Sequence, residues 1–308
     1  MKKVTKNLSL LLAGGMVLSL VTMSSCKKKS SDPMLPQIGG YNNSNEVGAA
    51  NLLAHWTFDG TLNEDKAGTA PTTSINKSFI TGVKGQALNL AAGYVLYPAI
   101  AALGTTTAIP SVTVSGWINV TNNGSTPTCI FALTQATGVQ TDWNTGPVDY
   151  YAETGHPIIT NDTLALHASF STYVGANRLG GDNINDYGVR GTDFQTVKGA
   201  GKWVHYVMVY DGAGSNIDIY ANGILVSNNN FRHRTTGAPP VGIGNITTTP
   251  PVQALFGAFP NAASGFPNSV TQSWQTYMTG SVDELRVFSK ALTAAEITAL
   301  YQLELAGR

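Results

Sequence analysis

Short stretches in which apolar and polar side chains alternate recur along the chain from about residue 50 onward, bounded by Gly, Asn, Asp or Pro. Period-two alternation puts successive side chains on opposite faces, so each stretch predicts a half-buried β-strand. The clearest cover 53–58, 87–90, 112–120, 128–133, 164–170, 203–210, 217–220, 224–226 and 282–288. Nine or more strands around one core predict an all-β sandwich. Between the stretches ending at Tyr220 and starting at Ile224, Asn222-Gly223 predicts a tight type I′ hairpin, because both residues accept positive φ. Helical periodicity appears only near the end. Thr293-Ala294-Ala295-Glu296 has the form of a capping box, and Ile297, Leu300 and Tyr301 then share one face. That predicts a short helix packed on the sandwich, with a partner-binding helix as the alternative.

The first 48 residues read differently. Lys2, Lys3 and Lys6 precede an apolar run from Leu8 to Val21 and the small residues Ser24 and Ser25, which predicts a signal peptide over 1–25. Met23-Ser24-Ser25-Cys26 resembles the lipobox of bacterial lipoproteins, with Met23 where Leu is usual. The resemblance implies that the Cys26 thiol is acylated and anchors the chain at the outer membrane or cell surface; an ordinary secretory signal with an incidental Cys is the other reading. Residues 26–48, rich in Lys, Ser, Asn, Pro and Gly, then predict a flexible tether, and 49–308 the folded domain.

Charge sharpens the picture. Basic and acidic side chains number 18 each, but six lysines lie within the first 29 residues, leaving 12 basic against 18 acidic beyond. This excludes a basic nucleic-acid footprint for the folded part. Charged residues are 12% of the chain, about half the usual share, which disfavours charged-face helical bundles. If Cys26 carries lipid, Cys129 has no disulfide partner within the chain, and in the apolar stretch Thr128–Leu133 it reads as a small hydrophobe.

Several landmarks recur in a fixed order: Leu53-Ala54-His55-Trp56-Thr57-Phe58-Asp59-Gly60, Gly82-Val83-Lys84-Gly85-Gln86-Ala87-Leu88 and Val112-Thr113-Val114-Ser115-Gly116-Trp117-Ile118. Lys202-Trp203-Val204-His205-Tyr206 follows, leading through Tyr210-Asp211-Gly212 to Tyr220-Ala221-Asn222-Gly223, and Gly280–Phe288 closes the series. Together they resemble the bacterial laminin G-like branch of the concanavalin A-like lectin and glucanase superfamily. The resemblance implies a jelly-roll sandwich of two antiparallel sheets over the whole folded part, with a short C-terminal helix, and it places Trp56, Trp117 and Trp203 in the core. Asp162-Thr163-Leu164 resembles the short O-glycosylation signal of Bacteroidetes secreted proteins.

Two insertions depart from the family, about 70 residues between Leu133 and Trp203 and about 55 between Val226 and Gly280. Trp143 and Trp274 within them, with Tyr150, Tyr151 and Arg178, are the candidate ligand-binding residues, since stacking aromatics beside polar groups suit a glycan. The alternative is that these rings fill the base of the loops. Modules of this general kind also hold calcium where first and last strands meet, which makes Asp59, Gly60 and Asp283 candidate metal ligands; a turn at Asp59 and a backbone cap from Asp283 would explain them equally. Asp182–Asp186 reads as an oxygen-rich turn and Arg232-His233-Arg234 as a solvated edge. The five histidines show no zinc-ligand spacing. Superfamily glucanases carry Glu-x-Asp-x-x-Glu on one strand, and the sequence lacks it, so catalysis would need acids that converge from different loops. The resulting expectation is a lipid-anchored, non-catalytic glycan-binding protein. A protein-binding adhesion module and a loop-acid hydrolase or lyase are the alternatives.

Overall fold

The computed structural model describes residues 35–104, 109–155, 162–185, 195–247 and 252–308. The expected signal peptide and Cys26 lie outside them. After two 3-10 turns, Ser44–Glu46 and Ala49–Asn51, come β1 (Leu52–Trp56), β2 (Thr73–Thr81), β3 (Gln86–Ala99), β4 (Ser111–Val120) and β5 (Thr128–Thr134). The first insertion supplies β6 (Val148–Ala152), β7 (Thr163–Leu164), β8 (Leu166–Val174), β9 (Asn177–Ile184) and β10 (Val197–Lys198). Next are β11 (Val204–Asp211), β12 (Asn216–Ala221) and β13 (Ile224–Leu225). The second insertion holds β14 (Thr235–Thr236), β15 (Val241–Gly242) and β16 (Gln253–Phe256), before β17 (Met278–Phe288) and α1 (Ala294–Leu305).

The main strands pair antiparallel in the order β13-β12-β11-β4-β17-β3-β16-β5-β6-β8-β9, with β1 added on β17 and β2 on β3. The sheet folds over on itself into two layers. Its long strand β3 is shared: its first half pairs with β17 and its second half with β16. Rings from the two layers meet in the middle. Tyr150 of β6 stacks on Tyr206 of β11 and Phe170 of β8 on Tyr210 of β11, each with centroids 3.9 Å apart. Trp56 of β1 stands edge-on to Tyr97, Phe131 and Phe256 from β3, β5 and β16 at 5.5, 5.7 and 5.1 Å. Burial of each such ring contributes about 1.5–3 kcal/mol, which a chain without a disulfide framework relies on. The architecture is the expected all-β jelly-roll sandwich with one short C-terminal helix.

Local signals are realised where they were expected. Asn222 and Gly223 have φ of 50° and 79°, so both take the left-handed conformation that a type I′ turn requires. The Thr293 hydroxyl accepts from Glu296 N at 3.2 Å while the Glu296 carboxylate accepts from Thr293 N at 2.9 Å, closing the capping box. Ile297, Leu300 and Leu303 of α1 then cover Val207, Val209, Tyr220 and Phe288 on the outer face of the first layer.

Residues 36–48, expected in a tether, pack on the sandwich. Pro36–Arg308 form one compact unit, and Val47 is buried in the helix-covered cluster with Ile38 and Tyr41 packed against it. Arg308 Nε donates to Asn42 O at 3.0 Å, and Ser44 N donates to Arg308 O at 3.2 Å. Residues 36–48 are therefore part of the domain, because three scattered apolar side chains find a surface to bury against.

Candidate functional site

On the second layer, Val148, Tyr150 and Ala152 of β6 and Leu166, Ala168 and Phe170 of β8 face the core. Alternation sends Asp149 and Tyr151 of β6, and His167, Ser169 and Ser171 of β8, to the outer face. Register sets Tyr151 beside His167, and Ser169 lies between Asp149 and Asp182 of β9. The two insertions cover part of this face. Phe259 joins Cys129, Ala132 and Tyr151 in a small outer cluster, against which Trp143 and Trp274 pack. Trp143 meets Tyr151, Phe259 and Trp274 edge-to-face at 5.9, 5.5 and 5.6 Å.

Beside that cluster the face opens into a depression of about 580 Å³, lined among others by Trp143, Tyr151, His167, Ser169, Arg178 and Asp182. A second hollow of about 270 Å³ shares Trp143 and Tyr151 and adds Glu153, Phe259 and Trp274. The depression thus has an aromatic wall and a polar floor. Its floor is tightly wired: His167 Nδ1 is 2.8 Å from Glu153 Oε1 and Nε2 is 2.7 Å from Asp182 Oδ2. Asp182 Oδ1 in turn accepts from Arg234 at 3.0 Å. Burial works against a charged His167, but its hydrogen bonds to Asp182 and Glu153 prevail and raise its pKa above the usual 6.5. Asp149 is fully buried, and burial pushes its carboxyl well above the carboxylate range despite the Ser169 hydroxyl that donates to it at 3.1 Å.

Four of the five residues expected to bind ligand, Trp143, Trp274, Tyr151 and Arg178, are brought together here. Tyr150 is not. Its ring is completely buried between the layers and its hydroxyl donates to Tyr206 O at 2.7 Å, because adjacent residues on a strand face opposite sides. Sequence reasoning missed Asp149, Glu153, His167, Ser169 and Asp182. The even offsets 149-151-153 and 167-169 could have found all but the last. Asp182, expected in a turn, lies in β9, and Arg234 of the expected solvated edge is its ion-pair partner. Arg232 likewise forks onto Asp218 at 2.5 and 3.0 Å. Thr163, the residue suggested as a glycosylation acceptor, is buried in β7. Cys129 is buried as expected, and desolvation pushes its thiol upward, away from thiolate reactivity.

Asp59 and Asp283 lie elsewhere, on either side of the Gly82–Gln86 turn. Asp283 Oδ2 accepts from Val83 N and Lys84 N at 2.7 and 3.0 Å, and Asp59 Oδ1 accepts from Gln86 N at 2.6 Å. A Cβ on Gly85, whose φ is +73°, would fall 2.0 Å from Asp59 Oδ1, so only glycine lets the carboxylate close on the turn. Burial, only partly offset by these amides, lifts the Asp283 pKa to about 7. Calcium asks for six to eight oxygens. Here backbone N–H donors take one oxygen of each carboxylate, Asp283 Oδ1 is buried with no hydrogen-bond partner, and among the described residues no three His, Cys, Asp or Glu side chains gather in a metal-holding group. In this arrangement Asp59 and Asp283 act as clamps on the Gly82–Gln86 backbone. The same strand carries a buried charge cluster under α1, where Arg286 contacts Glu284 at 2.5 Å and also pairs with Glu304, while Trp117 Nε1 donates to Glu304 at 2.8 Å.

No protein-family model matches the sequence, and no curated protein is significantly similar to it. Among solved structures, the binding domain of botulinum neurotoxin serotype D/C aligns with a TM-score of 0.52 at 14% identity, over 84% of this chain and 53% of that one. The serotype C1 binding domain gives 0.49 at 13% identity, over 84% and 53%. Domain 4 of AbnA, an extracellular arabinanase of Geobacillus stearothermophilus solved with arabinotriose, gives 0.47 at 18% identity, over 82% and 98%. The chain spans about half the length of the neurotoxin chains. What it shares with the serotype D/C binding domain is the fold, a jelly-roll β-sandwich.

Proposed function

We propose that the chain is a non-catalytic carbohydrate-binding protein whose ligand lies in the depression on the outer face of β6, β8 and β9. The observation that carries this reading is the aromatic wall of Trp143 and Tyr151 beside a floor of Ser169, His167, Asp182 and Arg178 in one hollow. A pyranose has an apolar face and a rim of hydroxyls, and such a hollow satisfies both at once. Affinity electrophoresis against plant and host polysaccharides is the test. At least one polymer is expected to retard the protein, and Trp143→Ala and Trp274→Ala are each expected to weaken that binding about tenfold or more with the far-ultraviolet spectrum unchanged. Indifference to every polymer would overturn the reading.

The reading includes a lipid anchor at Cys26 and a place on the outer membrane or cell surface. Metabolic labelling with an alkynyl fatty acid is expected to mark the wild type and not Cys26→Ser; equal labelling of both sinks the anchor.

A second reading, a hydrolase or lyase, is favoured by one arrangement. Glu153 and Asp182 approach His167 from opposite sides, and burial pushes the nearby Asp149 carboxyl well above its usual pKa. Acids converging from separate strands are what catalysis on this scaffold would need. Each of the two flanking carboxylates is, however, engaged by a cation or imidazole, which suits a scaffold for hydroxyl groups better than proton transfer. Release of reducing ends or unsaturated products from the same panel would decide for the enzyme.

A further inference from the structure

Charge is distributed unevenly along the depression. Arg234, Asp182, His167 and Glu153 form an alternating chain with contacts of 3.0, 2.7 and 2.8 Å, so each carboxylate there has a counter-group. Asp149 is buried, and its desolvation outweighs the Ser169 hydrogen bond and the pull of the Arg178 guanidinium, so its pKa lies well above the usual carboxylate value. Arg178, from β9, also lines the hollow, and among the described residues no carboxylate lies within ion-pair distance of it. Its Nε donates to Ser171 Oγ at 2.9 Å and its Nη2 to Asn144 O at 2.6 Å, while Ser171 Oγ donates to the same carbonyl at 2.8 Å. These neutral acceptors hold the guanidinium in place without cancelling its charge. They leave both Nη1 hydrogens and one Nη2 hydrogen unspent, the edge of the fork that matches two oxygens of an anion.

The aromatic wall is tied to the same point. Asn144, whose carbonyl holds Arg178, follows Trp143 in the chain, and both line the hollow. A sugar ring against the indole therefore has its substituents within the neighbourhood of the guanidinium. A hydroxyl there gains one neutral hydrogen bond, whereas an anionic group gains charge-assisted bonds of roughly twice the strength.

We propose that the depression selects acidic glycans, seating a sugar-borne carboxylate or sulfate ester on Arg178 while the ring lies against Trp143. This rests on the carbohydrate-binding reading above and adds the ligand's charge class and the residue that recognises it.

The experiment compares the folded protein's affinity for polygalacturonate and alginate as carboxylated probes, dextran sulfate as a sulfated probe, and dextran and arabinan as neutral ones, at low and raised salt. The acidic polymers are expected to bind about tenfold or more tighter than the neutral ones at low salt, with the gap narrowing as salt screens the contact. Arg178→Gln is expected to erase the preference and Arg178→Lys to keep part of it, each checked by its unfolding midpoint. Preference for the carboxylated or the sulfated probe identifies which anion the site takes. Neutral polymers bound as tightly as acidic ones by the wild type would overturn the proposal while leaving glycan binding intact. An acidic preference that survives Arg178→Gln overturns it too, and failure to bind any polymer removes both readings.

Discussion

Arg286, His205 and His167 are all titratable side chains held away from bulk water, and each is accommodated differently. Arg286 stays charged between Glu284 and Glu304. His205 Nε2 lies 3.7 Å from Glu304, yet burial and the nearby Arg286 depress its pKa to about 3, so it sits neutral, hydrogen-bonded to Ser115 at 2.9 Å. His167 is the reverse case, its charge favoured by Glu153 and Asp182 enough to lift its pKa above 6.5. A group that binds its proton more tightly folded than unfolded stabilises the fold fully below the unfolded pKa and loses that contribution as pH rises through the folded value. Urea unfolding between pH 5.5 and 9 should therefore show the wild type's advantage over His167→Gln greatest near the acid end and shrinking above about pH 6.5. An advantage that grew with pH would mean the imidazole is neutral between its carboxylates.

At the scale of elements, what was legible follows from how local the determinants are. The Asn222-Gly223 hairpin and the Thr293 capping box were readable because a few adjacent residues decide them. Strands such as β4, β11 and β17 were readable from their apolar alternation. Four longer elements escaped: β2, β6, β9 and β16. Asn177–Ile184 contains Asn, two Gly and Asp and resembles a turn in isolation; it is extended because β8 offers a complete edge of hydrogen-bond partners from His167 to Val174. β6 and β16 are short, fully buried stretches whose faces both pack, which erases the alternation on which reading depends. β2 is polar and largely exposed, recruited by pairing with β3. Three of the four lie in the second layer with the site or flank it, which is why the polar floor went unseen although its aromatic wall was anticipated. Glu284 shows the converse limit. Its φ of 49° sits in a register shift between Asp283 and Arg286, so simple alternation cannot say which way these side chains turn.

For the folded unit, residues 36–47 and the C-terminal residues close on one another. Ser44 and Asn45 reach Arg286 at 3.3 and 3.1 Å, Arg308 holds the carbonyls of Pro36 and Asn42, and Val47 completes the cluster under α1. A chain beginning at residue 49 would lose that burial and expose a charged network. It should unfold about 2–4 kcal/mol more easily than one beginning at residue 36, as measured by urea titration. Equal stabilities would show that the segment rests on the surface without contributing to it.

The amino-acid sequence alone determined that this is an all-β chain with one tight Asn-Gly hairpin and a capped terminal helix, because alternation, turn chemistry and capping act over a few neighbouring residues. Tertiary structure decided the site. Trp143 and Trp274 are about 130 residues apart in the chain, yet meet at 5.6 Å, and Tyr150 was separated from Tyr151 by the thickness of a sheet. Which side chains face a common hollow depends on strand pairing, register and bulges across the whole layer, and these are settled only when every strand has found its partner.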